Sequence, residues 1–105
     1  MYSLVFYVPA SHIETVKEAV FAAGAGHYGN YDQCCWQVSG QNQFRPLDDS
    51  QPFIGQQGTT EAVEEFRVEM ICQKASIRAA IDAMIQAHPY EEPAYSYWPI
   101  NPALP

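Results

Sequence analysis

Basic residues are what this chain has least of. Across 105 residues there are five Lys and Arg against twelve Asp and Glu, a formal net charge of −7. A protein that grips a phosphate backbone or an anionic bilayer needs a basic face to neutralise it. Five cations build little of one, so nucleic acid and membrane surfaces are poor partners. Long apolar runs are also missing: none approaches the roughly 20 residues that a membrane-spanning helix requires. The opening MYSLVFYVPA lacks a basic start and reaches Pro9 early, so it reads as a strand and not as an export signal. A cytoplasmic location is the resulting expectation. Cysteine is scarce, three residues with no CxxC pair. Cys34 and Cys35 are neighbours that a strand would point to opposite faces, and Cys72 is left over. Reduced, buried thiols are expected in preference to zinc or redox work. There is no HExxH, no GxSxG and no glycine loop with Lys, so no nucleophile–base pair announces an enzyme.

What the chain does contain is periodic. With 48% apolar and 13% aromatic residues, its composition suits one folded domain over 1–105, large enough for a single core. Tyr2–Val8 is an apolar run rich in aromatic and β-branched types, hence a strand, with Leu4, Phe6 and Val8 on one face and Val5 and Tyr7 on the other. Ser11 and Glu14 are placed for a capping box. Ile13, Val16, Val20 and Ala23 follow at helical spacing, and Gly24 and Gly26 stop that helix because glycine accepts the left-handed turn a helix end prefers. The second strand is expected over Cys34–Gly40, with Cys34, Trp36 and Val38 sharing a face. Residues 40–60, rich in Gln, Gly, Pro, Asp and Asn, read as a long loop, a length usually associated with function or mobility. A third strand places Phe66, Val68, Met70 and Cys72 on one face and Glu65, Arg67, Glu69 and Ile71 on the other. A second helix carries Ile77, Ile81, Met84 and Ile85 and ends ahead of Pro89. The last strand is Pro93–Ile100.

The order β-α-β, β-α-β predicts an α+β, ferredoxin-like βαββαβ sandwich: a four-stranded antiparallel sheet with two helices on one face. The other face, carrying Val5, Tyr7 and Ile71, would be left bare. It is expected to be covered by further copies of the chain, preferably as a trimer locked by a long hairpin between strands two and three.

Three stretches could carry chemistry. AGAGHYGNYDQC, Ala23–Cys34, follows a helix, whereas a phosphate loop precedes one. It reads as a helix stop with His27 as an exposed turn residue. In FRPLDDSQPFIGQQG, Phe44–Gly58, Arg45 is either a surface ion-pair partner or a fixed fork for an anionic ligand, and Asp48 and Asp49 read as solvated. In HPYEEP, Pro89 and Pro93 stiffen the backbone around Tyr90, Glu91 and Glu92. His88 with Glu91 and Glu92 offers ligands for a divalent ion, but closed zinc sites want four ligands and open ones three. His12, after the helix cap, reads as solvent-exposed.

VPASHIETVKEAVFAAGAGHYGNYDQC, GQNQFRP, QPFIG and AHPYEEPAY, in that order, resemble the PII-like, CutA-like domain inserted in the Ngg-interacting-factor-three-like (YqfO-type) proteins. The resemblance runs from Val8 to Tyr97. This chain departs from the family pattern at Asn42 and Gln43, where a glycine and a threonine are usual, and at Ser96, where Asp is usual. The resemblance implies a PII/CutA-like fold, a trimeric habit, and a small ligand held between subunits by the loops around Arg45 and His88–Glu92. It also implies, through the CutA type, possible handling of zinc, copper or manganese with His88 and Glu91 as ligands. The family's two-metal halves are not among these residues, so a hydrolase or cyclohydrolase activity is not implied. The expectation is a non-enzymatic, homo-oligomeric ligand-binding or regulatory protein with Arg45, His88, Tyr90, Glu91 and Glu92 at its site. The competing expectations are metal handling and a purely structural use of HPYEEP, with Glu91 or Glu92 paired to Arg45 or Arg67.

Overall fold

A computed structural model describes residues 1–101; the last four residues of the expected 1–105 domain lie outside the described residues. The elements are β1 (Tyr2–Pro9), α1 (Ile13–Ala22), β2 (Trp36–Phe44), β3 (Glu61–Cys72), α2 (Ile77–Ala87) and β4 (Tyr95–Pro99). A short 3-10 turn leads into each helix, Ala10–His12 and Lys74–Ser76. The strands form one sheet in the order β2-β3-β1-β4, and every neighbouring pair is antiparallel. This is the expected ferredoxin-like arrangement. No helix of the described residues is long and apolar enough to cross a membrane.

The alternation read in the sequence sets which face is dry. Leu4, Phe6 and Val8 of β1 stand opposite Met70, Val68 and Phe66 of β3, so their side chains share one side of the pleat. Against that side pack Ile13, Val16 and Val20 of α1 and Ala80, Ile81 and Met84 of α2. Burying each of the larger of these side chains is worth about 1.5–3 kcal/mol, which is why the two helices lie on the sheet and not away from it.

Four details differ from expectation. The capping box does not form: the 3-10 turn carries the chain one residue further, so His12 takes the N-cap position without a side-chain cap. Ser11 Oγ instead hydrogen-bonds His12 Nδ1 at 2.8 Å, and Glu14 pairs with Lys17 at 3.3 Å. His12 is half-buried, its ring edge-on to Phe53 of the long loop at 5.5 Å. Strand β2 starts two residues later than expected and runs on to Phe44, because β3 begins at Glu61 and supplies a partner for every residue up to Phe44↔Glu61. Pairing to a neighbour here outweighs the weak strand preference of the QNQ run. The loop is accordingly shorter at its start. Finally, Val5 lies on the open face but is only 1% exposed within one chain, flanked in the sheet by Glu69 and Ser96.

Gly24 and Gly26 end α1 as expected, both with positive φ. At Gly26 the reason is also spatial. Its N–H donates to the Ile71 carbonyl at 2.8 Å, and its carbonyl accepts from Cys34 N–H at 2.9 Å. A Cβ there would stand 2.9 Å from the Phe21 ring and 3.0 Å from the Cys34 oxygen. The glycine turn thus docks on the Cys72 end of β3, and His27 is exposed.

Residues Glu61–Glu64 pair with β2 alone, since β1 begins its pairing with β3 at Glu65. The β2–β3 ribbon therefore projects past the four-stranded body and stretches the molecule to 49 × 23 × 23 Å. The open face presents Tyr7, Trp36, Val38 and Trp98, with Trp36 58% exposed. Phe6, fully buried in a central strand, tests the core. Phe6→Ala is expected to cost about 3–5 kcal/mol, read as a lowered urea midpoint with an unchanged slope.

Candidate functional site

The site is built where α2 hands the chain to β4. Pro89 excludes helical geometry from the residue before it, and His88 is extended at φ −76, ψ 137, while its N–H still donates to the Met84 carbonyl at 3.0 Å. That turn throws the imidazole inward, where it is 7% exposed. Its Nε2 lies 2.7 Å from the Tyr7 carbonyl, and its Nδ1 lies 3.1 Å from the Tyr90 backbone N–H. A carbonyl only accepts and a backbone N–H only donates. The ring is therefore the neutral Nε2–H tautomer, donating to Tyr7 and accepting from Tyr90. Burial lowers the His88 pKa below the ordinary imidazole value and the nearby His12 adds to this, against opposing effects from the Tyr7 hydrogen bond and from Glu65.

Fixing the Tyr90 backbone aims its ring at β3. The phenol donates to Glu65 Oε2 at 2.6 Å, and Asn42 Nδ2 donates to the same oxygen at 2.9 Å. Glu65 is only 3% exposed. Burial, and then the hydrogen bond to Glu65, push the Tyr90 phenol above its ordinary pKa, so it serves as a donor throughout the physiological range. The chain Tyr7–His88–Tyr90–Glu65–Asn42 links four elements of the fold through one run of polar contacts.

In front of Glu65 and Tyr90 opens a cavity of about 730 Å³. Its far wall is the loop between β2 and β3. Phe44 and Phe53 each stand 6.2 Å from the Tyr90 ring, and Glu91 Oε1 accepts from Gln51 N–H at 3.1 Å, tying loop to turn. Arg45, Tyr90, Glu91 and Glu92 all line this cavity, so the approach of the FRP and PFIG segments to HPYEEP is made within one chain. His88 does not line it. It lies behind Tyr90, ring centroids 4.9 Å apart, and acts as a support. Among the described residues neither Glu91 nor Glu92 forms an ion pair with Arg45 or Arg67; the two ion pairs are Lys17–Glu14 and Arg67–Glu69.

The expected metal pair, His88 with Glu91, does not fit this geometry. Both imidazole nitrogens are occupied by backbone groups. Among the described residues no three His, Cys, Asp or Glu are grouped to hold an ion, and an open metal site needs three protein ligands.

The sequence reading missed Glu65, Asn42 and the aromatic walls Phe44 and Phe53. Alternation places Glu65 on the side of β3 away from the helices, the side expected to be covered by further copies; what covers it is a turn 25 residues later in the same chain. The one signal that pointed here was Asn42, a departure from the family pattern, which donates directly to that carboxylate.

No protein-family model matches the chain. Among curated proteins, the GTP cyclohydrolase 1 type 2 homolog of Halalkalibacterium halodurans is 45% identical over 100 residues, covering 95% of this chain and 27% of that protein. A crystal structure of a Bacillus cereus protein related to NIF3 superposes with a TM-score of 0.82 at 40% identity, over 96% of this chain and 26% of that one. The periplasmic divalent cation tolerance protein CutA from Archaeoglobus fulgidus shares the fold, with a TM-score of 0.69 at 17% identity over 99% of this chain and 88% of that one. The fold is thus that of the PII-like, CutA-like proteins. Over nearly its whole length the chain is similar to a region of the NIF3-related, YqfO-type proteins, and it spans about a quarter of the length of the curated relatives it matches.

Two measurements test the network. Tyr90→Phe removes one of two donors to a buried carboxylate and is expected to cost about 1–3 kcal/mol in denaturant unfolding. For His88, the folded ring resists protonation that the unfolded ring accepts, so the unfolded state binds more protons and stability rises with pH across that window. The contribution is complete above the ordinary value of 6.5 and is lost as pH falls below it towards the lower folded value. An NMR titration of the ring is expected to show a midpoint below 6.5, with unfolding stability declining over the same range.

Proposed function

We propose that this domain is a non-enzymatic, PII/CutA-like ligand-binding or regulatory module that works as a homo-oligomer, preferably a trimer. The observation that carries the reading is the cavity of about 730 Å³ walled by Phe44, Phe53 and Tyr90 and braced from behind by His88. Concave sites with mostly apolar walls and a few fixed polar groups are the usual form of small-molecule sites. A tyrosine held at both backbone and hydroxyl is already ordered before a ligand arrives, which lowers the entropic cost of binding. Tyr90 supplies a stacking wall. Arg45, exposed and without an ion-pair partner among the described residues, steadies an anionic group at the rim, and Glu91 and Glu92 set the polarity of the mouth.

The assembly uses the open sheet face. Trp36, Val38, Tyr7 and Trp98 are exposed there, with Arg67 and Glu69 between them, and large apolar side chains gathered on one bare face favour a protein contact. Because cavity and open face adjoin through Tyr7 and Glu65, the cavity would sit beside a subunit boundary.

Metal handling is the second reading, drawn from the likeness to CutA of Archaeoglobus fulgidus, a divalent cation tolerance protein. The occupied nitrogens of His88 give it little support. The cyclohydrolase name borne by the longer relatives is not extended to this domain, which spans about a quarter of their length.

Light scattering of the protein is expected to give the mass of a trimer, and Trp36→Asp is expected to give a folded protein of lower mass. Arg45→Ala is expected to leave assembly intact while weakening small anions at the cavity. A protomer mass at dilute, near-physiological conditions would remove the oligomeric reading.

A further inference from the structure

Resting on the cavity reading above, we infer that its inner end recognises a cationic amine: an ammonium group, or an equivalent positively charged N–H donor, received by Glu65 Oε1. The two hydrogen bonds that hold Glu65 both land on Oε2, from Tyr90 at 2.6 Å and Asn42 at 2.9 Å. The described residues supply no donor to Oε1, and the carboxylate lines the cavity. A carboxylate offers about four acceptor positions. Oε1 reaches the space of the cavity and is not sealed from water, so a guest with hydrogens to give would meet it in exchange for solvent.

Two further features select charge as well as donor character. Glu65, Glu91, Glu92, Asp48 and Asp49 line the space against one cation, Arg45, so the field inside favours a positive guest. The walls beside Glu65 are the faces and edges of Phe44, Phe53 and Tyr90, surfaces that attract a cation as well as apolar carbon. A buried carboxylate within an aromatic enclosure is a suitable end-wall for R–NH3⁺, with the alkyl part lying along the rings. An anionic group at the opposite end of the same ligand would reach Arg45. The Glu65 end does not depend on it.

The test uses three four-carbon probes of matched size, butylammonium, butyrate and butanol, titrated into the 15N-labelled protein to the order of tens of millimolar, the range of weak single-contact binding. The expected result is saturable shifts at Glu65, Phe53 and Tyr90 with butylammonium, and none with butanol. Glu65→Gln keeps the shape and an acceptor for Tyr90 but turns an N–H2 towards the cavity. It is expected to weaken butylammonium at least about tenfold, a change of about 1.4 kcal/mol. Phe53→Ala, at an exposed loop position, is expected to weaken it without disturbing the fold and serves if the glutamine variant is poorly folded. Butanol binding as tightly as butylammonium would overturn the inference, as would a folded Glu65→Gln protein that binds butylammonium unchanged. Butyrate binding that disappears in Arg45→Ala, with no butylammonium binding, would overturn it while leaving the ligand-cavity reading in place. Failure of all three probes to shift the cavity would count against both.

Discussion

A carboxylate withdrawn from water has to be met by donors, and the upper end of this domain is organised around meeting Glu65. Strand β3 carries it there because alternation puts Glu65 on the side away from the helices, directly across from Pro9 and Gly40. Asn42 approaches from β2 and Tyr90 from the turn after α2. Tyr90 can do so only because His88 grips its backbone and is itself anchored on Tyr7 of β1. Each contact is modest alone, about 1 kcal/mol for a neutral hydrogen bond and up to about 3 when one partner is charged. Linked in series they fix the position of an aromatic ring that would otherwise be free, and the cavity owes its shape to that ring. HPYEEP is therefore more than a redirecting turn. The first proline shapes the backbone of the histidine, the histidine holds the tyrosine, and the tyrosine closes on the glutamate.

Much of the architecture could be read from the residues because it rests on local rules. The alternation Leu4, Phe6, Val8 against Val5, Tyr7, and its echo in Phe66, Val68, Met70, Cys72, assigns the dry face without knowledge of any partner. Gly24 and Gly26 mark the end of α1 through backbone freedom alone. The errors lie where a distant partner decides. Gln41–Gln43 look like loop until β3 offers them a ladder. Ser11 looks like a cap until a 3-10 turn moves the helix start past it. Glu65 gives no sign of its partner until Tyr90 arrives from 25 residues downstream. His88 looks like a ligand because histidine and carboxylates together resemble a metal corner; backbone groups already occupy both of its nitrogens. Periodicity shows the direction in which a side chain leaves its strand and nothing of what waits there.

The comparisons divide along the same line. Neighbours below a fifth in identity, such as the Archaeoglobus protein at 17%, share the four-stranded frame, so the frame is compatible with very different surfaces. The Bacillus cereus structure at 40% identity is where side-chain detail comparable to the Glu65 network is to be sought. Fold alone does not carry function; what distinguishes this domain is the set of side chains at one end of its sheet.

The ribbon of Gln41–Phe44 and Glu61–Glu64 has no third strand beside it, yet it bears the loop that forms half of the cavity. Two strands without a neighbouring layer are marginal as a unit, so the ribbon leans on contacts between its loop and the turn after α2, such as Gln51 N–H to Glu91. The same few contacts that seat the ribbon therefore also set where the wall of the chamber stands.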